Sequence, residues 1–454
     1  MSTVENIDHL SQLPPELLED IFDRVQHSNT PLVDPLSRSL FPFQQKPLFE
    51  SLYVRSYEDL ETFCDYVKNR PQLAAYTREF GVSIVPHGRS RELDREIEDP
   101  QSPSNERVKE LFKTLVQITD MAIAGTDRIA RLVLESDVVA TSFPNLGTLH
   151  LSSAFNSLRD PFHPDLYKCL QRYNELDTFR LSVLRTCTSI HPISDSKEQV
   201  QPLLPFLTKI NEVTLVGPLS ASPTSVKALI GAFAQLHAVS LYDSAATESL
   251  LYDFLDHLCD PAILLHLELE RRAVYGPPPQ GNMFDRVRRM PQLEGLILGG
   301  SVSSLSTSFY SSLRSIPNLR RLTFLEKTDV SLEKLRQLIY GPEKHELLRT
   351  VTLDNVAGKI GTRICDQGAC WDDVGERWLP WSDWILPEWS EDFDVDDLEV
   401  FHLVALMGGV TVKGTAIGAM RVTTEWDREM EEAQTYGDDL SSESWEDEEE
   451  YESE

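Results

Sequence analysis

Along most of the chain the apolar residues return in one short arrangement, apolar-x-x-apolar-x-apolar. It stands at Leu146-Leu149-Leu151, Leu176-Phe179-Leu181, Ile210-Val213-Leu215 and Leu236-Val239-Leu241. It continues at Leu264-Leu267-Leu269, Leu293-Leu296-Leu298, Leu319-Leu322-Phe324 and Leu348-Val351-Leu353. Successive copies begin 26 to 34 residues apart. Weaker copies stand at Phe49-Leu52-Val54, Ile129-Leu132-Leu134 and Leu398-Phe401-Leu403. The alternation inside each copy predicts a short strand with one face buried. Between copies lie segments with helical spacing, at 223–236, 247–258, 306–316 and 331–339, several opening with Ser, Thr or Pro as a helix start requires. One strand and one helix cannot bury an apolar face alone, so successive units must stack.

This arrangement resembles the leucine-rich-repeat family over roughly residues 45–405. The resemblance implies an α/β solenoid with parallel strands inside and helices outside. The family often sets Asn or Cys three residues beyond the last strand leucine, to bond the turn backbone. Here those positions hold Ala154, Leu184, Pro218, Ser244, Arg272, Ser301, Lys327 and Val356. The turns must therefore be satisfied by other groups, with irregular curvature expected. Residues beside the second and third apolar positions point away from the core, onto the concave side. They include Thr148, His150, Ser152, Thr178, Arg180, Ser182, Glu212, Thr214, Ser240, Tyr242, His266, Glu268, Glu270, Arg321, Thr323, Thr350, Thr352 and Asp354. His150, Arg180, Thr214, Tyr242, Glu268, Glu270 and Arg321 are the candidate contacts for a protein ligand; the alternative is a merely solvated sheet face.

Residues 13–25 read LPPELLEDIFDRV. Pro14 and Pro15 suit a first helical turn, and Glu16, Glu19 and Asp20 offset the helix dipole there. Leu17, Leu18, Ile21, Phe22 and Val25 share one face. This helix, with the stretch 35–54 after it, is similar to the opening of fungal F-box proteins. Residues 27–35 are short and polar for that family, and Phe41 and Phe43 stand about where it carries Trp. The resemblance implies that Leu13, Pro14, Leu17, Leu18, Ile21, Phe22 and Val25 dock on a Skp-type adaptor, and through it a cullin-based ubiquitin ligase. The repeats would then present a protein substrate. The other reading of the same helix is a cap on the first repeat of a ligase-independent scaffold.

The expected organisation is a disordered start at 1–10, an F-box at 11–47, a repeat domain at 48–437 and a disordered acidic tail at 438–454. A mobile loop is expected at 86–107 and a tryptophan-rich insertion at 357–393. The tail holds ten acidic residues and no basic one. The insertion holds Trp371, Trp378, Trp381, Trp384 and Trp389, among Asp372, Asp373, Glu376, Asp383 and Glu388. Two readings stand for it: a segment folded over the end of the repeats, or a recognition loop for a basic ligand.

Charge and cysteine content narrow the function. Asp and Glu number 73 against 42 Lys and Arg, a formal net charge of −31, which argues against nucleic acid or anionic membrane as a partner. No export signal or membrane-spanning stretch is evident, and the six cysteines are scattered, so free thiols in the cytoplasm or nucleus are expected. Cys365-x4-Cys370 lacks a second ligand pair, and Cys187 and His191 have no orienting acid beside them. No phosphate-binding loop, GxSxG or HExxH occurs. No cofactor, metal or active site is expected.

Overall fold

The structure, a computed structural model, describes residue 17 and residues 49–84, 103–152, 161–183, 205–245, 249–271, 283–300, 307–325, 328, 330–354, 395–418 and 420. The chain divides into two compact units, Met1–Ile263 and Leu264–Glu454. In the first, seven strands follow one another: β1 (Ser51–Val54), β2 (Glu79–Ser83), β3 (Asp120–Ala124), β4 (Thr148–Ser152), β5 (Thr178–Ser182), β6 (Glu212–Gly217) and β7 (Ala238–Asp243). Each pairs in parallel with the next in sequence. The second holds β8 (His266–Arg271), β9 (Gly295–Gly300), β10 (Arg321–Phe324), β11 (Thr350–Leu353) and β12 (Thr411–Lys413), again each parallel to its successor. Both units are thus α/β repeat stacks.

The repeated motif is the core. All three apolar positions of each of the eight strong copies are buried. Helices cover them: α1 (Tyr57–Asn69), α2 (Pro71–Ala74), α3 (Asn105–Thr114), α4 (Asp127–Glu135), α5 (Asp137–Ser142), α6 (Pro223–Ala232) and α7 (Leu251–Phe254) in the first unit. A 3-10 segment, Pro164–Arg172, takes a helix's place between β4 and β5. The second unit has α8 (Met283–Val287), α9 (Thr307–Leu313), α10 (Leu332–Ile339) and α11 (Val395–Gly408). Serine hydroxyls start four of these helices, Ser56 accepting from Asp59 N at 3.0 Å, Ser104 from Arg107 N, Ser136 from Val139 N and Ser331 from Lys334 N. Within the first unit a file of rings joins helices to strands. Phe63 meets Phe80, Phe80 meets Phe112 and Phe112 meets Phe143, with centroids 5.3–6.3 Å apart.

Two weak copies of the motif are corrected. Ile129-Leu132-Leu134 lies in α4 and Leu398-Phe401-Leu403 in α11. The first two motif positions are three apart, a spacing a helix face shares, so such a match does not separate the periods. In α4 the buried set is Ile129, Ala130, Val133 and Leu134, a helical stripe. The strands of these repeats lie elsewhere. In β3 the motif is Ile118-Met121-Ile123, all buried. In β2 it is Thr77-Phe80-Val82, hidden from an apolar search because a threonine, 0% exposed, fills the first position. In β12 only Val412 remains, the flanking motif positions being Gly409 and Gly414.

The end of the expected loop 86–107 is folded: Ser104 caps α3, and Arg107 pairs with Glu61 and with Asp65 of α1 at 2.6 Å. Residues 86–102, the acidic tail, the tryptophan-rich insertion, residues 1–10 and the F-box segment other than Leu17 lie outside the described residues.

At strand exit, where the asparagine ladder would stand, backbone bonds link neighbouring repeats: Ile84 N donates to Ala124 O at 3.1 Å, Ser244 N to Gly217 O at 2.8 Å and Asp354 N to Phe324 O at 2.8 Å. At strand entry Thr119 N donates to Arg78 O, Gly147 N to Thr119 O, Asp177 N to Gly147 O and Asn211 N to Asp177 O, all within 3.0 Å. The second unit repeats this through Leu265, Glu294, Arg320 and Arg349 carbonyls. At strand exit two buried side chains assist. Asp243 accepts from Ala245 N at 3.0 Å, Ser220 N at 3.3 Å and the Ser220 hydroxyl. Thr328 donates to Leu325 O and Leu298 O. Glycine closes the turns where the chain crowds its neighbour. Gly125 has φ +73°, and a Cβ there would stand 1.9 Å from Ile84 O; at Gly300, φ +72°, it would stand 1.7 Å from Arg271 O.

Candidate binding face

The parallel registers bring side chains from distant repeats into rows. In the first unit one row reads Ser51, Glu79, Asp120, Thr148, Thr178, Glu212, Ala238. The next reads Tyr53, Gly81, Ala122, His150, Arg180, Thr214, Ser240. Three of the candidate contacts, His150, Arg180 and Thr214, are therefore direct neighbours on β4, β5 and β6. Tyr242 belongs to the following row, beside Val216. Ser182, expected on the open face, is buried together with Val183. The chain turns in toward β6 there, with Val183 N donating to Val216 O at 2.7 Å. The Ser182 hydroxyl still lies 3.5 Å from His150 Nε2. Burial, and secondarily the Arg180 charge, hold the His150 imidazole below its ordinary pKa, so it stands neutral near pH 7.

In the second unit Glu268 and Glu270 alternate along β8, both on the open face. Arg321 lies in the row of His266 and Gly295, and its guanidinium is 3.4 Å from the His266 ring. The row of Glu268 continues through Ile297, Thr323, Thr352 and Lys413.

A glycine-and-neighbour pairing recurs on both faces, and sequence reasoning did not find it. The Tyr53 ring lies across Gly81, where a Cβ would be 2.3 Å from ring Cδ1. His266 lies across Gly295 in the same way, at 2.7 Å, and the Glu270 stem against Gly299 at 2.9 Å. Glycine in a strand thus lets the preceding repeat's long side chain lie flat on the sheet. Tyr53 is 63% exposed, and Glu79 accepts from Ser51 Oγ at 2.5 Å and from Tyr53 Oη at 3.5 Å. Partial burial first, then the Glu79 carboxylate, push the Tyr53 phenol pKa up, so it remains a neutral donor. The signal was present: the same flanking rule, applied to the weak copy Phe49-Leu52-Val54, selects Tyr53.

These faces are mixed in charge and rich in hydroxyls, side-chain chemistry that suits contact with a protein surface. Among the described residues no group of three or more His, Cys, Asp or Glu could hold a metal, and no helix is long and apolar enough to cross a membrane. Of Leu13, Pro14, Leu17, Leu18, Ile21, Phe22 and Val25, the residues expected from the sequence to dock on an adaptor, only Leu17 is described; it is helical and 50% exposed.

No family model matches the chain, and no curated protein matches it. Among solved structures it is similar to the leucine-rich-repeat-containing protein LegL7 from Legionella pneumophila. Identity is 15% and the TM-score 0.34, over 67% of this chain and 81% of that one. At that level the repeat architecture rests on this chain's own strand registers.

Proposed function

We propose that this chain is a protein-binding receptor: its repeat faces hold a protein ligand, and its N-terminal helix recruits a Skp-type adaptor of a cullin-based ubiquitin ligase. The observation that carries the first part is the in-line row Tyr53–Gly81–Ala122–His150–Arg180–Thr214–Ser240, in which Tyr53 and Arg180 are exposed and His150, Thr214 and Ser240 half-buried, on a sheet with a continuous core behind it. The neighbouring acids Glu79, Asp120 and Glu212 favour a ligand that brings basic side chains. The second part is supported by the LPPELLEDIF sequence and by Leu17, a large apolar side chain left half in solvent. Burying one such side chain contributes about 1.5–3 kcal/mol, a reason for a partner. On this proposal the chain does no chemistry; it raises the effective concentration of substrate lysines beside a ligase.

The test is a double substitution, Leu17→Asp with Phe22→Asp, which sets unpaired charge in a desolvated contact. A Skp-type adaptor should copurify with the wild-type chain and be lost from the variant, at unchanged melting temperature and circular dichroism. If the adaptor does not bind wild type and the variant melts lower, the helix is a cap and the chain a ligase-independent scaffold.

A further inference from the structure

At the β1 end of the first unit an exposed aromatic ring lies beside two carboxylates. The Tyr53 ring rests on Gly81, so one ring face is held on the sheet while the side chain as a whole stays 63% exposed. The next residue of that row is Ala122, half-buried, whose side chain is a single methyl group. In the row beside it Glu79 and Asp120 stand in register on β2 and β3, strands about 4.8 Å apart. Glu79 Oε2 accepts from the hydroxyls of Ser51 and Tyr53, and Asp120 Oδ2 from that of Thr119. Among the described residues no donor reaches Glu79 Oε1 or Asp120 Oδ1, and neither carboxylate has an ion pair. The basic residues nearby do not neutralise them. Arg78 is held by Gln117, through its carbonyl and its Oε1, and Arg55 is exposed. Burial raises the Tyr53 phenol pKa, and the charges that add to this are those of Glu79 and then Asp120, with no arginine opposing them.

We propose that this corner seats an arginine side chain of the protein ligand, its guanidinium lying on the open face of Tyr53 and donating to Glu79 and Asp120. The seat rests on the receptor reading and names a residue type that the ligand must bring. Charge complementarity selects a cation, since two carboxylates face an approaching ligand with no cation of this chain between them. The ring selects the kind of cation. A guanidinium is planar, stacks on an aromatic face, and offers several donors in a fixed fork, enough for two acceptors on adjacent strands. A lysine ammonium meets the charge but has no plane to lay on the ring. An apolar side chain would cover the carboxylates and give them no donor, which costs free energy. Gly81 and Ala122 are part of the design: a larger residue at either position would lift the ring or crowd the stem of the incoming side chain.

The test uses the full chain with its alanine methyl groups labelled for nuclear magnetic resonance, and follows Ala122, identified by the signal lost in Ala122→Gly. The probe is a short acetylated and amidated peptide of glycine and serine with one central arginine. Two controls carry lysine or citrulline at that place, citrulline keeping the shape of arginine without its charge. The arginine peptide should shift the Ala122 signal saturably, the lysine peptide should need a several-fold higher concentration, and the citrulline peptide should leave the signal in place. Tyr53→Phe keeps the ring and should keep the affinity. Tyr53→Leu and Glu79→Gln should each weaken binding several-fold at unchanged circular dichroism, with Asp120→Asn as the substitute if either disturbs the fold. No saturable shift with the arginine peptide, an equal response to all three peptides, or undiminished binding to Tyr53→Leu would overturn the proposal. Such a failure leaves the receptor reading standing, because adaptor copurification tests that reading without any peptide; a chain that seats arginine but recruits no adaptor loses the ligase part alone.

Discussion

Single residues in this chain act mainly by where the neighbouring repeat places its backbone. Gly125 and Gly341 separate two costs. Both have positive φ, +73° and +94°, but a Cβ at Gly125 meets Ile84 O while one at Gly341 meets nothing within 4 Å. Gly341→Ala should therefore cost about 1–2 kcal/mol, the penalty of the left-handed conformation alone. Gly125→Ala should cost clearly more, because main chain must also move; denaturant midpoints at unchanged m-values check the order. Asp243 is fully buried and accepts from two backbone N–H groups and the Ser220 hydroxyl. Asp243→Ala orphans those donors, at about 1–3 kcal/mol for each left unsatisfied, and should rank among the most damaging single changes. His150 adds a pH dependence. Its folded pKa lies below the ordinary 6.5, so as pH falls the unfolded chain takes up the proton first. Its contribution is fully present above 6.5 and is lost as pH falls from there through the folded pKa. His150→Gln should make the melting temperature fall less steeply below pH 6.5; an identical slope in both proteins would count against this placement of the ring.

At the scale of elements, one rule of burial describes every strand, and departures from it are local. The motif's core positions could be picked out from the chain because a strand buries alternate residues, and that period is written in consecutive amino acids. Thr77 in β2 and Gly409 and Gly414 in β12 escaped because position in the stack, not side-chain apolarity, gives them their place. Helices α4 and α11 imitated the motif because a three-residue step belongs to both periods. The ring file shows how elements lock together. Phe112 of α3 is 1% exposed and meets Phe80 of β2 on one side and Phe143 on the other. Phe112→Ala should cost about 3–5 kcal/mol, while Phe112→Leu should recover a good part of that; equilibrium unfolding measures both.

For the whole molecule, the proposed receptor function would pair the net charge of −31 with a protein ligand carrying basic surface. Arg180→Glu removes the cation from the row of His150 and Thr214 and should change ligand association, and its salt dependence, without changing melting temperature, since Arg180 is exposed. Tyr53→Ala should weaken ligand binding through slower association or faster release, whereas Thr411→Ala, in the edge strand of the other unit, should not; surface plasmon resonance separates the cases. The chain by itself determined the alternation of core and surface, hence the repeats, the parallel strands and the membership of His150, Arg180, Thr214, Tyr242, Glu268, Glu270 and Arg321 in an open face. Each of those follows from neighbours within a few residues. Only the tertiary structure decided which of them stand side by side, that Tyr53 rests on Gly81 and His266 on Gly295, that Ser182 is buried, and that α11 keeps an apolar side in solvent. Register joins residues some thirty positions apart, and it is set by how whole units pack on one another, a long-range property that no local periodicity encodes.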